Sequence, residues 1–576
     1  MEKNTKSFGR KNSSDDKKTS YGNKKSYNKA GSQYKSGEKS AKGGKSYRGD
    51  KKTFANSEKS YRGDKKAFAN SDKPYRTDKK TDSSTGKTYR AAKNPASGKN
   101  KYTAEKRDFN KKSKFTPGER IIKHDKKTAV EKESNILDNR IEIALQALID
   151  VEKNGKYINL AFKHNDKLDK LEKKDRAYVM RILYGVTEKS YTIDWLLQKV
   201  LKEKRIKPWL KAILKIGVYQ IYYMRIEDKD AIIQARELCK KYVSDEVCGF
   251  VEAVLNKLSE SKDEYSPELY RFKNTSERLA VVYSYPQWLI DMWTADYGAE
   301  TVSALVENEY PRAINLRVSS GTSRSDITAQ LDAAKIKCSD GILYNTISVS
   351  DTVNIESLDC YRNGRITAQG IGSMLTVDIL DVKRNSSVLD ACAAPGGKTF
   401  YIAEKTTANV ESCDIHEHRV ELIKKGIERL SLENVNAVCR DMCVPVPEYD
   451  KAFDRVLIDA PCSGLGMINS KPDIKNNTAP EELQALSEIQ SKLLETCSSY
   501  VKPGGLLVYS TCTVSKQENE SNIKRFICEH NEFELIDIDS KIPDSLNYII
   551  DDKTITILPS KYNPDAFFIS AMRRIQ

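Results

Sequence analysis

Apolar residues along this chain follow three regimes in turn. Over residues 1–133 they occur mostly singly, as Tyr or Phe set among Lys, Ser, Gly and Asn. Such a stretch cannot bury enough apolar surface to offset its ordering entropy, so a disordered basic tail is expected. From 134 to 262 the spacing turns helical. "NRIEIALQALIDVEKNG" (139–155) places Ile141, Ala144, Leu145 and Leu148 on one face and stops at a glycine. The segments 175–189, 206–224, 229–243 and 249–258 follow the same pattern, which predicts an all-α domain.

Residues 263–380 predict a small mixed α+β linker domain. Within it 276–298 is helical in pattern, while "RAINLRVSS" (312–320) and "GILYNTISV" (341–349) have the pattern of strands. From 381 to 576 short apolar runs alternate with helical stretches: 387–405, 410–430, 435–442, 453–461 and 505–513. That alternation is the signature of a doubly wound parallel sheet, an α/β Rossmann-like domain. The chain is thus multidomain, with expected boundaries at 133, 262 and 380.

Charge changes the picture only at the N-terminus. Of a net +16, residues 1–130 hold 38 Lys and Arg against 14 Asp and Glu, and the remainder carries 59 against 67. The excess falls on a 14-residue repeat, "SYRGDKKTFANSEK" (46–59) then "SYRGDKKAFANSDK" (60–73). Basic charge interleaved with Tyr47, Phe54, Tyr61, Phe68 and Tyr75 suits RNA backbone attraction plus base stacking; a solubilising tail is the alternative. A second basic run, Lys199, Lys202, Lys204, Arg205, Lys207 and Lys211, is either a phosphate-facing side or a solvated helix face.

No run of about 18 apolar residues exists to span a membrane, and the first residues lack the apolar core of a secretory signal. All twelve cysteines lie beyond residue 238 without the spacing of a disulfide framework, which suits a reducing cytoplasm. Cys439 and Cys443, or His416 and His418, make no paired metal motif, so no metal is expected. The absence of long apolar heptads suggests a monomer.

The candidate chemistry lies at the ends of the predicted strands. "LDACAAPGGKT" (389–399) brings a Gly396–Gly397 pair to the end of the first, where backbone can approach a ligand closely. The run lacks the phosphate-loop spacing, because Cys392 stands where the first glycine would, six residues before Lys398, and it lacks the dinucleotide fingerprint. Acids close the next two strands, Asp414 and Asp441. The first is placed to accept from ribose hydroxyls, the second from an adenine amine. Acids without a phosphate-binding partner suit a cationic adenosyl cofactor, S-adenosyl-L-methionine.

"DACAAPGGKT" (390–399), "DAPCSG" (459–464), "KPDI" (471–474) and "YSTCT" (509–513) with "QENE" (517–520) resemble the RNA cytosine-C5 methyltransferase superfamily, the Sun/NOL1/NOP2 group. The helical segment resembles a NusB-like RNA-binding domain, chiefly through 175–185 and "FVEAVLNKL" (250–258), and "PDAFFISAM" (564–572) closes the likeness to the bacterial Sun-type branch. The resemblance implies transfer of a methyl from S-adenosylmethionine to C5 of a cytosine in 16S ribosomal RNA, at position 967 in that branch. It implies a cofactor pocket of Cys392, Ala393, Ala394, Pro395, Gly396, Gly397 and Lys398 with Asp414, Asp441 and Asp459, aided by Arg419. The chain departs from the family pattern at Ser319, Gly370–Ile371, Asn476 and Ala566.

C5 of cytosine is too poor a nucleophile to take a methyl group directly; a thiolate adding to C6 makes C5 enamine-like. Related DNA enzymes attack with the cysteine of a Pro-Cys, assisted by a later Glu-Asn-Val. Here "ENV" (433–435) precedes Pro461–Cys462 instead. Sun-type enzymes attack with the Thr-Cys cysteine after the fifth strand and keep the Pro-Cys thiol for product release. The resemblance therefore implies Cys512 as nucleophile, Cys462 as the release thiol and Asp459 as the acid beside the base. Cys392 is expected to contribute backbone only. Cys239, Cys248, Cys338, Cys360, Cys413, Cys439, Cys443, Cys497 and Cys528 are expected to be buried and structural. The alternatives are a transfer-RNA methyltransferase of the same superfamily and a non-catalytic RNA-binding assembly factor.

Overall fold

The computed structural model describes residues 139–152, 158, 168, 170–201, 206–307, 313–350 and 353–576. The basic tail and its repeat, with Lys202, Lys204 and Arg205, lie outside the described residues.

Helices occupy 139–152, Lys173–Glu188, Ser190–Leu201, Pro208–Tyr223, Asp228–Tyr242 and Cys248–Glu260. The predicted face of the first is buried: Ile141, Ala144, Leu145 and Leu148 join one apolar core with Leu183, Leu196, Ile213 and Leu255. Pro208 begins its helix at a position whose N–H would have no partner anyway. That helix is central and buried on nearly every side. Its approach to Lys173–Glu188 requires glycine at 185, where a Cβ would lie 2.0 Å from the Tyr219 ring. Of the second basic run, Lys199 donates to the Tyr270 hydroxyl at 2.9 Å and Lys211 pairs with Asp194 at 3.1 Å.

The linker departs from its pattern in two places. The helical stretch 276–298 is two helices, Thr275–Val282 and Gln287–Tyr297, because Pro286 disfavours a helical Tyr285 and Ser284 takes a positive φ of 61°. A four-stranded antiparallel sheet follows, in the order β2-β3-β1-β4. Its strands are β1 (Ala313–Val318), β2 (Cys338–Asp340), β3 (Thr346–Ser350) and β4 (Ile366–Ala368). "GILYNTISV" is therefore mostly a hairpin turn. Thr346 Oγ1 donates to the Leu343 carbonyl at 2.6 Å and accepts from its N–H at 3.1 Å, a local bond that competes with extended pairing.

The large sheet contains β5 (Val388–Asp390), β6 (Val410–Asp414), β7 (Val435–Cys439), β8 (Phe453–Asp459), β9 (Val501–Thr511), β10 (Phe533–Leu535), β11 (Tyr548–Asp551), β12 (Thr554–Ile557) and β13 (Phe567–Arg574). The order is β11-β12-β13-β9-β8-β5-β6-β7, with β10 beside β13. Strands β5 to β9 are parallel, as the alternation predicts. The C-terminal strands are antiparallel, so the sheet is mixed rather than purely parallel: "PDAFFISAM" returns from β12 and runs antiparallel between it and β9. Neighbouring residues of the parallel strands feed opposite cores, Val388, Leu457 and Val508 on one face, Leu389, Val456 and Leu507 on the other. Helix Ile371–Ile379 belongs to the first of these, so the sheet's core begins ahead of residue 381.

The three folded segments meet at Lys475. Its Nζ donates to the carbonyl of Glu188 at 2.7 Å and to that of Ser284, while the Tyr285 ring lies 4.7 Å away. Burial pushes its pKa down from 10.5 to about 7. A neutral amine still has the two N–H bonds these carbonyls need. Asn476, one of the positions that depart from the family pattern, accepts from the Ser190 hydroxyl at 2.9 Å in the same junction.

Candidate active site

Strand order turns at β5, which has β6 on one side and β8 on the other, so a crevice opens beyond their carboxyl ends. The loop leaving β5 is tied to β6 by the Ala393 N–H on the Cys413 carbonyl at 2.8 Å. Gly396 has a φ of 107°, and a Cβ there would fall 2.3 Å from the Phe400 ring. Helix Gly397–Ala403 then begins, with Lys398 in its first turn.

The structure brings Cys392, Ala393, Ala394, Pro395, Gly397, Lys398 and Asp459 around one cavity of about 190 Å³, together with Gln369, Ser373 and Asp390. Gly396 is buried behind the turn it makes. Asp414 lies further along the crevice, accepting from the His416 N–H at 3.1 Å and from Arg419, whose other nitrogen reaches the Ala394 carbonyl at 3.3 Å. Asp441 follows on the next strand end and caps the Cys443 N–H at 2.9 Å. Asp390 is fully buried, and desolvation pushes its carboxyl up to about 7 against the opposing hydrogen bond from Thr399 at 2.7 Å. Burial likewise raises the Cys392 thiol well above its ordinary range.

Asp459 accepts from Lys398 Nζ at 2.6 Å and from Ser510 Oγ at 2.8 Å. Past Ser510, β9 delivers Cys512, whose sulfur lies 3.4 Å from that of Cys462. Both thiols are half-buried and free. The hydrogen bond from Cys462 lowers the Cys512 pKa, helped by Lys398 and Lys471 against burial and Asp459. The same bond, burial and the Glu518 charge raise Cys462. Two chemically identical groups are thereby made unlike.

Glu518 is the residue in "QENE" to which sequence reasoning assigned no role. Its fully buried carboxylate accepts from the Ser463 N–H at 2.9 Å, the Ser463 hydroxyl at 2.6 Å, the Thr513 hydroxyl at 3.2 Å and the Gln490 amide at 3.0 Å. Ser463 follows Cys462 and Thr513 follows Cys512, so one carboxylate clamps both cysteine loops. Asn519 adds to the clamp, donating to the Thr513 carbonyl at 3.1 Å and accepting from Thr511 at 2.6 Å. The signal was an acidic residue six positions after a reactive cysteine, but spacing alone does not reveal what it holds.

"ENV" lies at the opposite end of the sheet, where Asn434 donates to the carbonyls of Ala403, Thr406 and Ala408 at 2.7 to 3.3 Å. It serves packing. Among the other cysteines, Cys239, Cys248, Cys360, Cys413 and Cys497 are buried as expected. Cys338 and Cys443 are half-buried, and Cys439 and Cys528 are exposed, on an edge strand and on a helix surface. Among the described residues, no three His, Cys, Asp or Glu side chains converge as a metal site, and no helix is long and apolar enough to cross a membrane.

A Rossmann-like sheet with a crevice at its strand ends is an architecture many nucleotide- and cofactor-binding enzymes share, and comparison with known proteins makes the class specific: it is a methyltransferase. A family profile described as 16S rRNA methyltransferase RsmB/F matches residues 377–573, a NusB family profile 138–260, and an RsmF/B-like ferredoxin-like domain 285–356. The chain is 35% identical to the probable ribosomal RNA small subunit methyltransferase B of Bacillus subtilis over 75% of this chain and 98% of the relative. It is 29% identical to ribosomal RNA small subunit methyltransferase B of Yersinia pestis over 69% of this chain and 92% of the relative. The crystal structure of PH0851 shares the fold, with a TM-score of 0.62 and 24% identity over 75% of this chain and 98% of its own. The chain belongs to the RsmB/F family of S-adenosylmethionine-dependent rRNA methyltransferases.

Proposed function

We propose that this protein methylates C5 of a cytosine in small-subunit ribosomal RNA, cytosine 967 being the expected target, through a covalent bond between Cys512 and C6. The observation that carries the reading is the facing thiol pair, 3.4 Å apart, beside the Lys398–Asp459 ion pair. The names of the relatives support the choice of RNA.

The residues present fit the expected cofactor. Acceptors stand at two successive strand ends, and the glycine turn admits close backbone approach. The Asp390 Oδ1 and Gln369 Nε2 atoms are buried without a partner and belong to residues lining the same cavity, one an acceptor and one a donor. Asp414, with Arg419, would hold the ribose and Asp441 the adenine. Backbone from Cys392 to Lys398 would hold the amino-acid end. When bound, S-adenosylmethionine supplies the sulfonium methyl group that C5 attacks.

Cys512 attacks as thiolate, the form its hydrogen bond from Cys462 favours. Asp459 receives the N3 and 4-amino edge of the base, and Lys398 shares a proton with it. That proton, placed toward N3, makes C6 electrophilic and balances the electron pair arriving from sulfur. Bonding Cys512 to carbon ends the hydrogen bond that keeps Cys462 protonated. Cys462 then loses its proton to solvent and takes the C5 proton after methylation; the electrons of that C–H bond form the C5=C6 bond, the Cys512–C6 bond breaks with its pair on sulfur, and the N3 proton returns to the Lys398–Asp459 pair.

Incubation with S-adenosylmethionine and unmodified small-subunit RNA, followed by mapping of 5-methylcytosine, tests the reading. No product on any small-subunit RNA overturns it. Cys462→Ala is expected to accumulate a slowly released protein–RNA adduct, whereas adduct accumulation in Cys512→Ala instead would reverse the two roles.

A further inference from the structure

The small antiparallel sheet reaches the cofactor cavity through Gln369, one residue beyond β4. This side chain is 8% exposed. Its Oε1 accepts from Arg317 Nε at 2.8 Å. Arginine has donors only, so the contact fixes which end of the amide is oxygen, and Nε2 must face away from it. Nε2 has no hydrogen-bond partner although it is buried. It lies 3.9 Å from where a Cβ on Gly397 would be, at the start of the helix that follows the glycine turn.

Arg317 itself has little freedom to release the amide. It is fully buried, pairs with Glu404 at 2.6 Å and lies 4.6 Å over the Tyr401 ring. The arrangement holds a buried N–H aimed at a cavity, which costs the desolvation of that group unless a ligand accepts from it.

The wall carries the carboxylates of Asp390 and Asp459 as well as donors, which suits a ligand end that bears both a cation and an acceptor. Asp414 and Asp441, suited to ribose and adenine, are not among the residues lining it. What remains of an adenosyl amino acid at this end is the α-ammonium and the α-carboxylate, and only the carboxylate can accept. Ser373 and Lys398, both donors, line the same wall. We propose that Gln369 Nε2 donates to the α-carboxylate of the cofactor, so that the small domain, through Arg317, selects ligands carrying the amino-acid head. The proposal rests on the cofactor reading above.

Isothermal titration with S-adenosylhomocysteine and with 5′-methylthioadenosine, which lacks the amino-acid head, tests it without any RNA. Gln369→Leu should weaken S-adenosylhomocysteine binding about 10- to 100-fold, the worth of a hydrogen bond to a charged group, and leave methylthioadenosine within about twofold. Gln369→Glu keeps Arg317 partnered and sets a negative charge against the carboxylate. It should show the same selective loss, or a larger one, even if the leucine variant folds poorly. Equal losses for both ligands, or none for S-adenosylhomocysteine, overturn the proposal. A wild-type protein that binds neither ligand overturns the cofactor reading and this proposal with it.

Discussion

The helical domain and the loops at the ends of β8 and β9 are both well buried, yet they are held by opposite means. The first is an apolar core in which Ile213, Leu214, Val251 and Leu255 touch neighbours of their own kind. The second buries Glu518, Asn519, Asn522, Ser510 and Thr511, all of them hydrogen-bonded, Asn522 Nδ2 donating to the Glu518 carbonyl at 3.0 Å. Apolar contact is non-directional and tolerates repacking; a buried hydrogen-bond network sets positions to fractions of an ångström and fails when one member is removed. The region that must hold two sulfurs 3.4 Å apart is the one built from directional bonds.

The contrast can be broken most severely at the sulfur itself. Cys512→Ala should abolish the covalent RNA adduct and lower methyl transfer on the order of 10⁴-fold or more, with the melting temperature little changed. Denaturing gels and a methyl-transfer assay read both. Glu518→Ala leaves the Ser463, Thr513 and Gln490 donors without their acceptor and should cost about 2–4 kcal/mol in chemical denaturation. Leu214→Met, a volume-conserving change in the helical core, should cost less than about 1.5 kcal/mol and spare activity. Equal tolerance of the two changes would erase the distinction drawn between the regions.

Two smaller effects sharpen it. The folded pKa of Lys475 lies near 7 and its unfolded value at 10.5, so between these the unfolded chain binds the extra proton. Stability should therefore rise with pH through that window, by about 1 kcal/mol from pH 6 to pH 8 relative to Lys475→Met. A flat difference would mean that the junction does not hold the amine as described. Deleting residues 1–130 should weaken RNA binding and flatten its salt dependence while leaving turnover at saturating RNA nearly unchanged. An unaltered salt slope would reduce the tail to a solubility device.

Much of this architecture was legible wherever the cause is local. The buried face of 139–152 follows from helical spacing, and the parallel strands follow from the alternation of apolar runs with helical stretches. The hairpin at 341–345 was not legible, because a threonine hydroxyl bonding its own turn leaves an apparently continuous strand pattern. The returning strand β13 was missed for a related reason: its apolar run is like any other, and only the neighbour it pairs with makes it antiparallel. The exposure of Cys439 and Cys528 depends on which strand is an edge and which helix face meets solvent, neither of which composition records.

The sequence by itself determined the kinds of group available and their order: a glycine turn after the first strand, acids after the next two, and one cysteine after each of the following strands. Order is covalent and needs no folding to be read. Only the tertiary structure decided that Cys462 and Cys512, fifty residues apart, lie in contact with unlike acidities, that Glu518 clamps both their loops, and that Arg317 turns the Gln369 amide toward the cavity. Those facts depend on distance, burial and the direction of hydrogen bonds, which arise when distant segments of the chain pack against one another.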